Sequence, residues 1–227
     1  MSKNALAIVS GGLDSAVMLA LLLEQGWKCR AVGFNYGQRH RRELQHADLM
    51  CTALDVPYEV VDIREAMSAL TSSDSALVNP DVAVPRGHYA DPTMKATIVP
   101  NRNLIMLSLA AGIALSHRLD AIAIGAHRGD HDIYPDCRME FLHAVERTLA
   151  LCDDRPLGLL RPLIEIDKKG VVALGIRLGV DFGATWTCYE GGEVACGTCG
   201  SCDERREAFT LNDAIDPMVY LEAQRAQ

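Results

Sequence analysis

The stretch Ser10-Gly11-Gly12-Leu13-Asp14-Ser15 follows the apolar run Ala5-Leu6-Ala7-Ile8-Val9 and precedes an unbroken helix-forming run, Ala16 to Gln25, that Gly26 can cap. The order predicts a buried strand, a tight turn and a helix N-terminus. Two adjacent glycines at such a turn let the backbone approach a ligand with no Cβ in the way, and the free N–H groups of the first helical turn attract an anion. Ser10 and Ser15 add hydroxyl donors. A phosphate is the natural guest.

Neither Gly-x-x-x-x-Gly-Lys-[Ser/Thr] nor Gly-x-Gly-x-x-Gly occurs in the chain, so the lysine that clamps terminal phosphates in the kinase-type loop is missing. Ser-Gly-Gly-x-Asp-Ser instead resembles the pyrophosphate loop of the ATP pyrophosphatase families, which cleave between the α- and β-phosphates. In that reading Asp14 helps place Mg²⁺ or the loop itself.

Outward from the loop, Arg30 to Phe34 reads as a second strand, ended by Asn35-Tyr36-Gly37, and Tyr58 to Val61 as a third. Between them, Leu44, Ala47, Cys51 and Leu54 recur at helical spacing. Strands alternating with helices predict a parallel α/β sheet with ligands at the carboxyl ends of the strands. From Thr71 to Asn101 the pattern dissolves into Ser, Asp, Pro and Gly, too long for an ordinary connection; a lid over about 65–101 is the expectation. Arg102 lies in the Pro100-Asn101-Arg102-Asn103 turn just before an apolar helix from about Leu104 to Ser116, where it either grips an anionic ligand or is a solvated helix-start residue.

Ala121 to Gly125 is the next strand, and it leads into a charge-dense loop from Ala126 to Arg138, the kind of place where sites are built. His127 and His131 are either metal ligands or ordinary loop residues, and Cys137 is either a nucleophile or a packed thiol. Met139 to Leu151 forms a further helix, and Arg161-Pro162-Leu163-Ile164 closes the core. Asp167 reads as the N-cap of a helix to Leu178, with Lys168 at its start facing either phosphate or solvent.

At 227 residues the chain is long enough for one sizeable core and an appendage. The net charge of −8 argues against a protein whose main affinity is for nucleic-acid backbone, and the absence of a long apolar run or leader predicts a cytoplasmic protein with no membrane partner. Of eight cysteines, Cys188, Cys196, Cys199 and Cys202 crowd together as C-x7-C-x2-C-x2-C among glycines. Four thiolates at one point need a cation, and Zn²⁺ accepts four sulfurs in a tetrahedron with no open position, which makes a structural site; an iron–sulfur cluster is the competing reading. Cys29, Cys51, Cys137 and Cys152 are expected to be packed thiols.

Five motifs in order carry a resemblance over nearly the whole chain: the Ser10–Ser15 loop, Phe34-Asn35-Tyr36-Gly37-Gln38-Arg39-His40, Val99-Pro100-Asn101-Arg102-Asn103, Tyr134-Pro135-Asp136-Cys137-Arg138, and Thr187-Cys188-Tyr189 leading to the remaining cysteines. Together they resemble the 7-cyano-7-deazaguanine synthase family. The resemblance implies a twisted parallel sheet with helices on both faces, Rossmann-like and of the adenine nucleotide alpha-hydrolase type, over residues 1–182. A small zinc-binding segment would follow at 183–227.

It also implies an ATP-dependent ligase that joins ammonia to 7-carboxy-7-deazaguanine, works as a homodimer, and carries one structural Zn²⁺ per chain and Mg²⁺ with ATP. ATP would lie against Val9, Ser10, Gly11, Gly12, Leu13, Asp14, Ser15, Ala16, Val17 and Phe34. Tyr36, Gln38, His40, Arg102, Asp130, Tyr134, Asp136 and Arg138 would hold the heterocycle, with Asp14, Arg102 and Lys168 acting on the phosphates.

The chain departs from many members at Asp130-His131-Asp132-Ile133, where those carry Asp-x-Ser-Gly. Three other readings remain open at this stage: a ligase that stops at the amide or uses another amine, a tRNA sulfur-transfer protein, and a nucleotide-binding module without catalysis.

Overall fold

The computed structural model describes residues 3–68 and 74–221. Five strands, β1 (Asn4–Ile8), β2 (Lys28–Asn35), β3 (Tyr58–Asp62), β4 (Ala121–Ala123) and β5 (Gly158–Leu160), form one parallel sheet in the order β3-β2-β1-β4-β5. The helices are α1 (Leu13–Glu24), α2 (Glu43–Ala53), α3 (Arg64–Met67), α4 (Arg102–Ser116), α5 (Met139–Leu149), α6 (Lys168–Arg177) and α7 (Gly200–Thr210).

Successive residues of a strand point to opposite faces, and here both faces are covered. Leu6 and Ile122 pack on one side with Leu107, Ala110 and Ala114 of α4 and Leu142 and Val145 of α5. Ala7, Val9 and Ala123 pack on the other with α1, with Ala47 and Cys51 of α2, and with Val171 and Val172 of α6. This double covering is why β1 and β4 read as continuous apolar runs instead of alternating ones.

Several local expectations change. β5 was not expected; its three residues precede the Arg161–Ile164 stretch and are too short to show a period, and only pairing with β4 makes them a strand. The α2 face is Glu43, Ala47, Met50 and Cys51, whereas Leu54 lies past the helix end and is 41% exposed. Cys29, Cys51 and Cys137 are buried thiols, but Cys152 is exposed on the turn after α5.

The N-cap expected at Asp167 is present, its carboxylate accepting the Gly170 N–H at 2.9 Å. Of the expected lid, residues 69–73 lie outside the described residues. The part that is described holds a 3-10 turn at Pro92–Thr97 and buries Leu77, Val84, Tyr89, Met94 and Thr97.

The chain beyond α6 is tied back by Arg205, whose guanidinium is fully buried. It donates to both Asp216 carboxylate oxygens, to the Thr185 and Thr187 hydroxyls and to the Phe182 carbonyl at 2.7–3.1 Å. Among the described residues no helix is long and apolar enough to cross a membrane.

Candidate active site

From β1 the chain builds β2 and β3 to one side, then returns to lay β4 on the other. Loops leaving the carboxyl ends of β1 and β4 therefore diverge, and the crevice between them is where open parallel sheets bind ligands. A cavity of about 230 Å³ lies there, bounded by the Ser10–Ser15 turn, β2, α2, the loop after β4, and the starts of α4 and α6.

The two loop glycines have different tasks. Gly11 has φ +92°, and a Cβ there would fall 1.9 Å from the Glu43 carbonyl oxygen. Its own carbonyl accepts the Trp186 N–H at 2.9 Å, so Gly11 exists for close packing against α2 and stands outside the cavity wall. Gly12 lines the cavity and is the N-cap of α1 without a capping side chain, so the dipole end of the helix faces the space. Ser15 donates to the Gly12 carbonyl at 3.0 Å, which fixes the turn.

Beside the turn lies a dense set of charges. Lys168 Nζ stands 2.8 Å from both Asp14 oxygens and 3.1 Å from Glu204 on α7. His127 is fully buried; Gly129 N–H donates to its Nδ1 at 3.0 Å, and its Nε2 points between Asp14 at 3.7 Å and Asp130 at 3.5 Å. Tyr89 donates its hydroxyl to Asp130 at 3.0 Å. Burial works against charge on Asp14, but the Lys168 and His127 charges and the Lys168 hydrogen bond outweigh it and hold the carboxyl below its ordinary value. Burial likewise opposes charge on Lys168, and the carboxylates of Asp14, Glu204 and Asp130 more than reverse it, so the ammonium persists. For Glu204 burial prevails over Lys168 and the value rises.

The opposite end of the cavity is built of rings. Tyr36 and Tyr134 are buried and Tyr189 is partly buried around Arg102, whose guanidinium lies 3.5 Å from the Tyr36 hydroxyl and 5.9 Å above the Tyr134 ring. Tyr134 is held by Thr97 at 2.6 Å and by Tyr189 at 3.3 Å. Arg102 keeps its charge against burial through Tyr36, Tyr134, Asp136 and Cys137, and among the described residues no carboxylate pairs with it directly.

Gln38 sits behind this wall as a bracket, accepting the Tyr36 N–H and donating to the Phe34 carbonyl and to Glu43 at 3.0–3.3 Å. His40 packs on Tyr189 at 5.5 Å and faces Glu43 at 3.6 Å. Burial, with Arg102 and Arg39 nearby, lowers His40 to about 3. Burial raises Glu43 to about 8 despite the Gln38 hydrogen bond and Arg102.

The cavity thus gathers Val9, Ser10, Gly12, Leu13, Asp14, Ser15, Phe34, Tyr36, His40, Arg102, Asp130, Tyr134 and Lys168. Ala16 and Val17 face the core beneath the loop. Asp136 stands apart: its carboxylate accepts the Asn103 N–H at 3.2 Å in the first turn of α4. Arg138 donates to the His131 carbonyl at 2.8 Å on the exposed side. Glu43, Tyr89, Tyr189 and Glu204 line the cavity without having been singled out in the sequence. Tyr189 stands in the Thr187-Cys188-Tyr189 motif without a role having been read for it, no local motif marks Glu43 or Tyr89, and for Glu204 the one hint is its place two residues after a clustered cysteine.

The sulfurs of Cys188, Cys196, Cys199 and Cys202 lie within 4.8 Å of one another. A tetrahedral Zn–S distance of about 2.3 Å puts sulfurs roughly 3.8 Å apart, so the set fits Zn²⁺. The N–H groups of Thr198 and Cys199 point at Cys196 Sγ at 3.5 and 3.2 Å, and Cys196 N–H at Cys188 Sγ at 3.2 Å, the arrangement that stabilises thiolates. His127 and His131 take no part in this group.

The five-stranded parallel sheet with the Ser10–Ser15 turn at its switch point has the fold of the pyrophosphate-loop ATPases. The same fold occurs in NMN synthetase from Francisella tularensis, with a TM-score of 0.54 and 15% identity over 94% of this chain and 78% of that one. It occurs again in a 4-thiouridine synthetase solved as an RNA complex with bound ATP, with a TM-score of 0.50 and 15% identity over 93% of this chain and 52% of that one.

The family model for queuosine biosynthesis protein QueC matches residues 4–213, and the chain belongs to that family. Relatives named 7-cyano-7-deazaguanine synthase include one from Alteromonas mediterranea, 48% identical over 97% of this chain and 100% of that one. Another from Caldicellulosiruptor saccharolyticus is 44% identical over 96% of this chain and 95% of that one.

Proposed function

We propose that this protein converts 7-carboxy-7-deazaguanine and ammonia to 7-cyano-7-deazaguanine at the expense of ATP, by way of an acyl adenylate and then the amide. Family membership sets the reaction. The observation that supports its location is the single cavity that joins an uncapped helix N-terminus to a ring-lined end, with a cation at each end.

ATP places its β- and γ-phosphates on the Gly12–Ser15 turn, where backbone N–H groups and the α1 dipole receive them. The flat heterocycle enters among Tyr36, Tyr134 and Tyr189, and Asp130 accepts from its amine edge. Its carboxylate then meets the α-phosphate between the two ends and displaces pyrophosphate. Lys168 and Arg102 offset the charge that grows on phosphorus and on the departing pyrophosphate. Asp14 supplies hard oxygen donors that would hold the Mg²⁺ accompanying ATP, and that ion would neutralise phosphate charge.

Ammonia takes the acyl group from AMP to give the amide, and a second adenylation of the amide oxygen followed by loss of AMP leaves the nitrile. The four cysteines hold Zn²⁺ as a staple for the C-terminal segment, with no chemical step at the metal. We expect small molecules and no nucleic acid as partners, and a homodimer that covers the half-exposed Leu104 and Leu109 of α4, testable by sedimentation.

Incubation with ATP, Mg²⁺, ammonium and 7-carboxy-7-deazaguanine should yield AMP, pyrophosphate and, by mass spectrometry, the nitrile. Release of ADP alone would overturn the proposal, and a product that retains the amide mass would move it to the related amide-forming ligase.

A further inference from the structure

Glu43 and His40 lie where the two ends of the cavity meet. The Glu43 backbone presses on the phosphate turn at Gly11, and His40 packs its ring on Tyr189 at the aromatic end. An acyl–phosphate linkage that spans from the rings to the turn has to pass this seam. Both side chains are buried and line the cavity.

Their polar atoms are not all used. Glu43 Oε1 receives Gln38 and faces His40 Nε2, but among the described residues Oε2 has no partner. His40 Nδ1 is buried and equally unpartnered. The charged groups nearest to the pair are Arg102 and Arg39, neither of them ion-paired to Glu43, and no lysine approaches it among the described residues. A buried ring nitrogen and a carboxyl oxygen facing the cavity, each without a partner among the described residues, suit a small donor-rich cation.

The geometry points to Glu43 and His40 as the site that binds ammonium and delivers it as ammonia to the acyl adenylate. This rests on the functional reading above and adds the residues that handle its second substrate. Ammonium donates one N–H to Glu43 Oε2 and another to His40 Nδ1. One proton passes to the Glu43 carboxylate, and the freed nitrogen lone pair forms the C–N bond. The C–O bond to AMP breaks with its electron pair on the phosphate oxygen, and that oxygen takes the second proton lost by nitrogen. The products are the amide, AMP and a protonated Glu43. Burial without a countercharge raises Glu43 to about 8; ammonium at Oε2 supplies that countercharge, so the carboxylate forms as the cation binds and takes a proton back when nitrogen attacks. A neighbouring neutral imidazole leaves its Nδ1 free to accept.

Glu43→Gln keeps the size and the Gln38 hydrogen bond while removing the base. The test compares three rates in the full-length zinc-loaded protein: pyrophosphate exchange with ATP and the heterocyclic acid, amide formation with ammonium chloride, and hydroxamate formation with hydroxylamine, which is neutral at pH 7. In Glu43→Gln, KM for ammonium should rise at least tenfold and turnover with ammonium should fall at least a hundredfold. Exchange should change less than threefold, and hydroxylamine should restore turnover to within threefold of wild type. His40→Leu should raise KM for ammonium, and His40→Asn, which retains an acceptor near the Nδ1 position, should recover most of it. An unchanged KM for ammonium in Glu43→Gln, or loss of hydroxylamine turnover in parallel with ammonium, would overturn the assignment. Absence of exchange in the wild-type protein would instead remove the functional reading, and this site with it.

Discussion

The two ends of the cavity handle buried ionisable groups in opposite ways. Beside the Ser10–Ser15 turn Lys168 lies 2.8 Å from Asp14 and 3.1 Å from Glu204, and His127 lies 3.7 Å from Asp14 and 3.5 Å from Asp130, so Asp14 stays ionised and Lys168 stays charged. Toward the aromatic end, at the seam between the two, Glu43 and His40 are neighbours at 3.6 Å yet both are held neutral, one raised to about 8 and the other lowered to about 3. Pairing needs an opposite charge already in place, and desolvation wins wherever that partner is missing. The first end is therefore a fixed network of paired charges in which Lys168 is the one ammonium among three carboxylates, and the second holds Glu43 and His40 neutral.

The contrast breaks most severely at Lys168. Replacing it by Met strands Asp14 and Glu204 without a countercharge; pyrophosphate release should fall by at least about a hundredfold, as when a group that stabilises transition-state charge is lost. Removal of one partner from a buried pair costs on the order of 3–5 kcal/mol, so the midpoint of thermal unfolding should drop as well, with ATP restoring part of it. Wild-type exchange rates in this variant would sink the electrostatic account.

Gly11→Ala should couple the two ends. With a Cβ 1.9 Å from the Glu43 carbonyl, α2 has to shift, and both KM for ATP and KM for ammonium should rise together. Gly12→Ala, where the nearest atom is the Ser10 hydroxyl at 3.3 Å, should affect ATP alone.

The pH dependence of stability separates the ends more finely. Glu43 folds with its value raised from 4.5 to about 8, so its contribution is whole below pH 4.5 and is lost as the pH climbs through 8. His40 folds with its value lowered from 6.5 to about 3, so its contribution is whole above pH 6.5 and is lost as the pH falls toward 3. Thermal midpoints measured across pH should lose their alkaline decline in Glu43→Gln and part of their acid decline in His40→Leu.

The smallest effect belongs to Asp136. As an N-terminal cap of α4, its change to Ala should cost about 1 kcal/mol of stability. KM for the heterocycle should stay within twofold, whereas Asp130→Ala should raise it at least tenfold. Equal losses in both variants would give Asp136 a direct part in holding the substrate.

Much of this was legible in residues near one another along the chain. An apolar run followed by Gly-Gly and a helix former predicts strand, turn and helix because each rests on local backbone freedom and periodicity, and β1 and α1 follow that order. The four cysteines are legible because thiolates gathered at close spacing require a cation. β5 escaped because three residues carry no period, and Glu204 escaped because nothing near it on α7 refers to Lys168, which lies on α6.

The sequence by itself determined an α/β sheet with a Gly-Gly turn after its first strand, a close set of four cysteines that fits a metal ion, and the family to which both belong. Only the tertiary structure decided which ionisable groups are paired and which are silenced. It also separated Gly11, which packs against α2, from Gly12, which lines the cavity, and Asp130, which lines the same cavity, from Asp136, whose carboxylate accepts an N–H in the first turn of α4. The reason is physical: ionisation and access depend on desolvation and on charges brought close by the fold, and neither quantity is a property of neighbouring positions in the chain.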